Sequence, residues 1–160
     1  MPMLATKYHI LAPDLPGFGF TEVPDTFQYT FDGLANTVLE FLDELSISIF
    51  SVYIFDYGAP TAPRLALSRP SSIRAIISQN GNAYTTGLGD FWAPIREFWH
   101  SENTPDARST LAKTMLSLEA TKWQYEHGTS PVRTIAPESY TLDYTLLQRP
   151  GNADAQVDLF

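Results

Sequence analysis

The run Phe50-Ser51-Val52-Tyr53-Ile54-Phe55, taken with the three residues after it, constrains the fold most. It is apolar, aromatic and β-branched throughout, which suits a strand covered on both faces, as in a parallel sheet. It stops at Asp56-Tyr57-Gly58, and Ala59 to Ser68 then reads as a helix. Pro60 and Pro63 are placed in that helix's first turn, where a missing N–H costs little, and Pro70 ends it. Ile73 to Ser78 reads as another strand, ending at Gln79-Asn80-Gly81-Asn82. Strand, helix and strand joined by short connections imply an α/β fold with a parallel sheet.

Upstream, Phe31, Leu34, Ala35, Val38, Leu39, Phe41, Leu42 and Leu45 recur at helical spacing. Thr30 is the expected N-cap, Asp32 suits the positive end of the helix dipole, and Glu40, Asp43 and Glu44 form the wet face. Tyr8 to Ala12 reads as a short buried strand that runs into Pro13-Asp14-Leu15-Pro16-Gly17-Phe18-Gly19. Gly17-Phe18-Gly19 begins like a dinucleotide fingerprint, but Glu22 stands at the third glycine position and no helix is expected there. A turn that needs glycine backbone angles accounts for it better.

The pattern changes after about residue 85. Residues 90–100 and 105–120 look helical, with Trp92, Ile95, Phe98 and Trp99 as the apolar stripe of the first, and no strand is evident. The expected organisation is a partial α/β core over 1–85 and a helical segment over 86–160.

Composition mainly excludes. Hydrophobic residues make up 44% of the 160, enough for a core, and the net charge of -8 disfavours nucleic acid or an anionic membrane as partner. With no cysteine there is no disulfide, thiolate nucleophile or Cys-based zinc site. No apolar run reaches ~18 residues and no signal peptide is visible, so a cytoplasmic location is expected.

The chemistry concentrates in Ile54-Phe55-Asp56-Tyr57-Gly58-Ala59-Pro60. A short polar residue between a buried strand and a helix, with a small residue two places on, has the pattern of a nucleophile elbow. Gly58 is expected where helix and strand pass close together, and the Tyr57 N–H at the helix start can donate to an oxyanion. A carboxylate attacks an sp3 carbon to give an ester, which activated water then cleaves. The same residues also fit an aspartate that merely caps a helix.

His9 to Phe20 resembles the fourth strand and following loop of the α/β-hydrolase fold. Tyr53 to Ala66 resembles its fifth strand, elbow and next helix, and Ile73 to Tyr84 its sixth strand. Within that superfamily the segments are most similar to the epoxide hydrolase and haloalkane dehalogenase branch, where the nucleophile is aspartate. The resemblance implies a partial α/β-hydrolase fold, with strands four to six in a parallel sheet and residues 86–160 forming an incomplete helical cap. It makes Asp56 the nucleophile and a small apolar molecule the substrate, with no cofactor and no metal. Cap tyrosines would donate to an epoxide oxygen, with Tyr84, Tyr125, Tyr140 and Tyr144 as candidates and Trp92 beside them. Tryptophan usually follows the nucleophile in dehalogenases; Tyr57 here favours the epoxide hydrolase-like side.

The family's His-Gly-x-Pro loop, catalytic histidine and its acid partner have no match here, so activity is expected to be impaired in a truncated chain. His9, His100 and His127 are given solvated or structural roles. The family's strand between four and five would be missing, so those two pair directly, or a partner such as a second copy fills the gap in the incomplete sheet, or the chain is marginal alone. The rivals are a haloalkane dehalogenase-like hydrolase and a non-catalytic product or binding module.

Overall fold

The structure, a computed structural model, describes residues 1–160. A single-turn helix α1 (Pro2–Ala5) precedes an irregular stretch. The strand expected over Tyr8 to Ala12 does not form; the segment is irregular and mostly exposed. No strand of this chain runs alongside to exchange backbone hydrogen bonds with it, and apolar composition alone cannot hold a strand.

Helix α2 (Phe31–Glu44) starts at Thr30, whose Oγ1 accepts the Gly33 N–H at 3.0 Å, and it buries Leu34, Ala35, Leu39 and Leu42. Strand β1 (Phe50–Ile54), helix α3 (Gly58–Ser68) and strand β2 (Ile73–Ser78) come next. The strands are parallel, pairing Val52 with Ile76 and Ile54 with Ser78, with one irregularity between Phe50 and Val52. The sheet has these two strands, not three. Pro63 lies inside α3, later than the first turn where the sequence places it; its missing N–H would have bonded the Ala59 carbonyl.

Helices α2 and α3 cover one face of the sheet. Ala35, Leu39 and Leu65 pack against Val38, Phe50 and Val52, while Ile54, Ala59 and Ala62 close the end nearest Asp56. The other face is bare: Tyr53 is 61% exposed, Phe55 51% and Ile77 55%. The burial expected on both faces is therefore found on one, since both helices lie on the same side.

No strand occurs after β2. Helices α4 (Ala93–Trp99), α5 (Pro105–Met115), α6 (Leu118–Glu126), α7 (Pro137–Leu147) and α8 (Asn152–Leu159) complete the chain. The helix expected over 105–120 is two, because Ser117 Oγ accepts the Ala120 N–H at 3.1 Å and starts α6. Ile95, Leu111, Met115 and Val157 form a second core, with Trp92 and Phe98 packed on it.

Helix α8 returns to the first part of the chain. Gln156 Nε2 donates to the Gly17 carbonyl at 3.1 Å, and Arg149 Nη1 donates to the Gly19 carbonyl at 2.7 Å. Gly17 has φ +86°, and a Cβ there would come within 3.0 Å of the Ala155 Cβ. The Gly17-Phe18-Gly19 segment is thus a turn under a helix, and no helix starts from it to receive a phosphate.

Leu39→Ala, within the α2–α3 core, is expected to cost about 2–5 kcal/mol, and Leu67→Ala, 83% exposed, less than about 0.5 kcal/mol. Urea unfolding of both variants checks this. Equal losses would show that the α2–α3 packing is not what holds the sheet.

Candidate active site

Asp56 joins β1 to α3 with φ +48°, a left-handed backbone that a non-glycine residue adopts at a cost and that aspartate tolerates better than most. The turn is closed by two backbone hydrogen bonds. Gly58 N–H donates to the Phe55 carbonyl at 2.8 Å and Ala59 N–H to the Asp56 carbonyl at 2.9 Å. A bend this tight at a strand end turns the side chain out of the sheet.

Asp56 does not cap α3. The N-cap position is Tyr57, and no side chain accepts from the first helical N–H groups. The Asp56 carboxylate instead accepts the Tyr57 N–H on Oδ1 at 2.7 Å, while Oδ2 accepts nothing. One side of the residue is open to water, but the carboxyl is otherwise crowded by protein. That loss of hydration pushes its pKa up from the ordinary aspartate value; the Tyr57 N–H pulls it down and is the weaker effect.

The Tyr57 ring lies against three others: Phe18 at 5.3 Å between centroids, Phe31 at 5.7 Å and Phe160 at 6.0 Å. Its hydroxyl is buried and has no hydrogen-bond partner. Burial first, and then the Asp56 charge, push the phenol pKa up, so Tyr57 stays a neutral O–H. The close helix–strand approach expected at Gly58 lies instead at Gly81. A Cβ at Gly58 would make only ordinary contact with Ile54, at 4.0 Å, whereas one at Gly81 would meet Ser78 Oγ at 2.7 Å and Ala59 Cβ at 3.2 Å.

Three of the other candidates, Trp92, Tyr125 and Tyr140, have partners of their own. Tyr84 is 78% exposed in the loop after β2. The Tyr125 hydroxyl donates to Asp143 Oδ2, and burial foremost, then that bond, push its pKa up to about 12. Tyr140 stands edge-on to Tyr125 at 6.2 Å, with Lys122 over its ring. Trp92 packs on the second core, and Tyr144 is half-buried on α7. The contacts of Trp92, Tyr125 and Tyr140 lie within the helical segment.

All three histidines are exposed, and His127 stacks on Trp123 at 4.3 Å. One cavity of about 560 Å³ lies among Tyr29, Phe98, Trp99, Arg108, Asp158 and Phe160; Asp56 does not line it. No group of three or more His, Asp or Glu residues is arranged to hold a metal ion, and no helix is long and apolar enough to cross a membrane.

Folded Asp56 holds its proton more tightly than unfolded aspartate does, so the stability this group contributes falls as pH rises through its titration. Asp56→Asn keeps a residue that tolerates a left-handed backbone and removes the charge. The variant is expected to melt above the parent at neutral pH, with the gap narrowing toward about pH 4, near where a free aspartate titrates. Thermal unfolding at both pH values checks this; a variant that melts lower at neutral pH refutes it.

The comparisons with known proteins agree with this architecture. Residues 1–151 match the alpha/beta hydrolase fold family. The chain is 46% identical over 162 residues to an uncharacterized hydrolase of Saccharomyces cerevisiae, covering all of this chain and 56% of that protein. It is 31% identical over 77 residues to haloalkane dehalogenase 2 of Mycobacterium tuberculosis, covering 48% of this chain and 27% of that one. The crystal structure of Cfl2 from Burkholderia cenocepacia is similar with a TM-score of 0.76 at 23% identity, over 98% of this chain and 55% of Cfl2. Epoxide hydrolase CorEH has a TM-score of 0.70 at 20% identity, over 98% of this chain and 58% of CorEH. At such identities the structural likenesses speak for the fold alone. The chain spans little more than half the length of the yeast hydrolase. A family match over nearly the whole chain, joined to the parallel β1–α3–β2 unit with its bend at Asp56, establishes that the chain belongs to the α/β-hydrolase fold family.

Proposed function

We propose that Asp56 is the nucleophile of an epoxide hydrolase-like reaction on a small apolar electrophile. The observation that carries this is the division of labour within its carboxylate. Oδ1 is held by the Tyr57 N–H, and Oδ2 is left free at a strained strand-to-helix turn. Oδ2 attacks an sp3 carbon, the bond from that carbon to the leaving atom breaks, and an alkyl ester forms on Asp56. Oδ1 becomes the ester carbonyl oxygen. When water adds to the ester carbon, the negative charge develops on Oδ1, and the Tyr57 N–H is already aimed at it.

Residues 86–160, with their own core, act as the lid over this turn. The aromatic rings gathered around Tyr57, the residue after Asp56, suit an apolar substrate better than a charged one. A second substrate reading, a haloalkane, draws on the 31% identity to a dehalogenase and uses the same attack with halide as leaving group. The three histidines are exposed and none is hydrogen-bonded to Asp56, so the second step, which needs a base to activate water, is expected to be slow in this chain.

Incubation with a terminal epoxide is expected to add one molecule of epoxide to Asp56, stable over hours, as read by intact-mass and peptide mass spectrometry. Asp56→Asn should not be labelled. Labelling with a 1-bromoalkane and release of bromide, in the absence of labelling by epoxide, favours the haloalkane reading. If neither reagent modifies Asp56, the nucleophile role fails and a non-catalytic protein is left. Rapid multiple turnover by this chain would overturn the persistent ester.

A further inference from the structure

The second strand leaves the sheet by a bend much like the first. Ile54 pairs with Ser78, and the Gln79 N–H donates to the Ile54 carbonyl at 3.0 Å, so the ladder runs to the last residue of β1. Continued two places, the register sets Asn80 opposite Asp56, and both are left-handed, with φ +50° and +48°. Such backbone is uncommon for a residue with a side chain and persists only where the surroundings enforce it. Around Asp56, part of the enforcement comes from the exit of β2. Gly81 lies on Ile54 and Ala59, the buried residues two before and three after Asp56. The φ of Gly81 is not left-handed, so space and not backbone freedom accounts for a glycine there. A Cβ on Gly81 would stand 3.2 Å from Ala59 Cβ and 3.3 Å from Ile54 Cδ1, nearer than packed carbons normally approach. Its 2.7 Å approach to Ser78 Oγ is the softer contact, because that hydroxyl can rotate away.

Ala59 is also where the bend at Asp56 is closed, its N–H donating to the Asp56 carbonyl at 2.9 Å. Any group that pushes Ala59 therefore pulls on the turn that presents the carboxylate. We infer that Asn80 and Gly81 brace the nucleophile turn: the left-handed Asn80 lays Gly81 flat on Ile54 and Ala59, and Ala59 is thereby kept where its N–H holds Asp56. The role is one of positioning, exerted through Ile54 and Ala59, and it rests on Asp56 being the nucleophile. Neither side chain of the brace acts on substrate. With the brace seated, Asp56 is kept from relaxing toward ordinary backbone, and Oδ2 stays clear of the turn. With the brace lifted, the bend loosens and the carboxylate moves toward water. The fit is also reciprocal, since a methyl group gained at 81 calls for one lost at 59.

The test compares the parent chain with Gly81→Ala, Asn80→Val, the double variant Gly81→Ala with Ala59→Gly, and Ala62→Gly. Asn80 is exposed, so valine there fills no core and only resists the left-handed backbone. Ala62→Gly weakens α3 by an interior glycine and adds nothing over Ala59. Three readings are taken: the rate at which a terminal epoxide labels Asp56, by mass spectrometry; the titration of the Asp56 carboxyl, by carbon-13 NMR; and thermal unfolding. Gly81→Ala and Asn80→Val are expected to label about 10-fold more slowly. Their Asp56 carboxyl should titrate below the parent's, since a carboxyl released from crowding regains water. The double variant is expected to return both readings close to the parent. Ala62→Gly should melt lower and move neither. Gly81→Ala with the parent's rate and titration overturns the brace. So does a double variant that fails to recover, or a set in which both readings simply follow melting temperature, Ala62→Gly included. A parent that takes up no epoxide removes the nucleophile reading alone. The brace then stands if the Asp56 titration moves in Gly81→Ala and returns in the double variant, and falls if it does not.

Discussion

A strand can end and a helix begin within three residues here only because Asp56 accepts a left-handed backbone. That conformation costs on the order of 1–3 kcal/mol. It persists because the turn is closed by the Gly58 and Ala59 N–H groups and because Ile54, Ala59 and Ala62 are packed on either side of it. The residue that bears the cost also has its carboxylate turned to the outside of the bend, with one oxygen held and the other free. Backbone strain and carboxylate placement are one feature seen at two scales. An aspartate in relaxed helical or extended backbone at this position would not be presented in this way.

Tyr57 collects what surrounds the bend. Phe18 reaches its ring from the early turn, Phe31 from the first residue of α2, and Phe160 from the end of α8. These segments are held by other means: the Thr30 cap fixes the start of α2, Gln156 ties α8 to Gly17, and Arg149, just before α8, is tied to Gly19. The position of the Tyr57 ring therefore depends on contacts far along the chain, including the second core that supports α8 through Val157.

Much of this was legible in the sequence where local chemistry decides the outcome. The spacing of Leu34, Leu39 and Leu42 and the hydroxyl of Thr30 give α2, and the apolar run ending in Asp56-Tyr57-Gly58 gives the strand, bend and helix. Whatever depends on a neighbour was not legible. Tyr8 to Ala12 has strand composition and no strand beside it. The β1 run suits burial on two sides, and the helices of this chain cover one. Gly58 looked like the close-contact glycine because it stands in the motif; Gly81, which comes nearer to Ile54 and Ala59, gives no local signal. Ser117 was the readable exception, a serine inside an expected helix that restarts it. The surroundings of the Tyr57 hydroxyl come from three distant segments, so no window of sequence contains them.

The approach of α8 to the early turn has an evolutionary corollary. Gly17 and Ala155 share a space that admits one methyl group and no second. Glycine at 17 is demanded twice, by its φ of +86° and by that methyl, so relief of one demand leaves the other in force. Drift at this contact is therefore confined to residue 155, and only downward in size: Ala to Gly is open, and anything larger pushes the helix off the turn that carries Phe18.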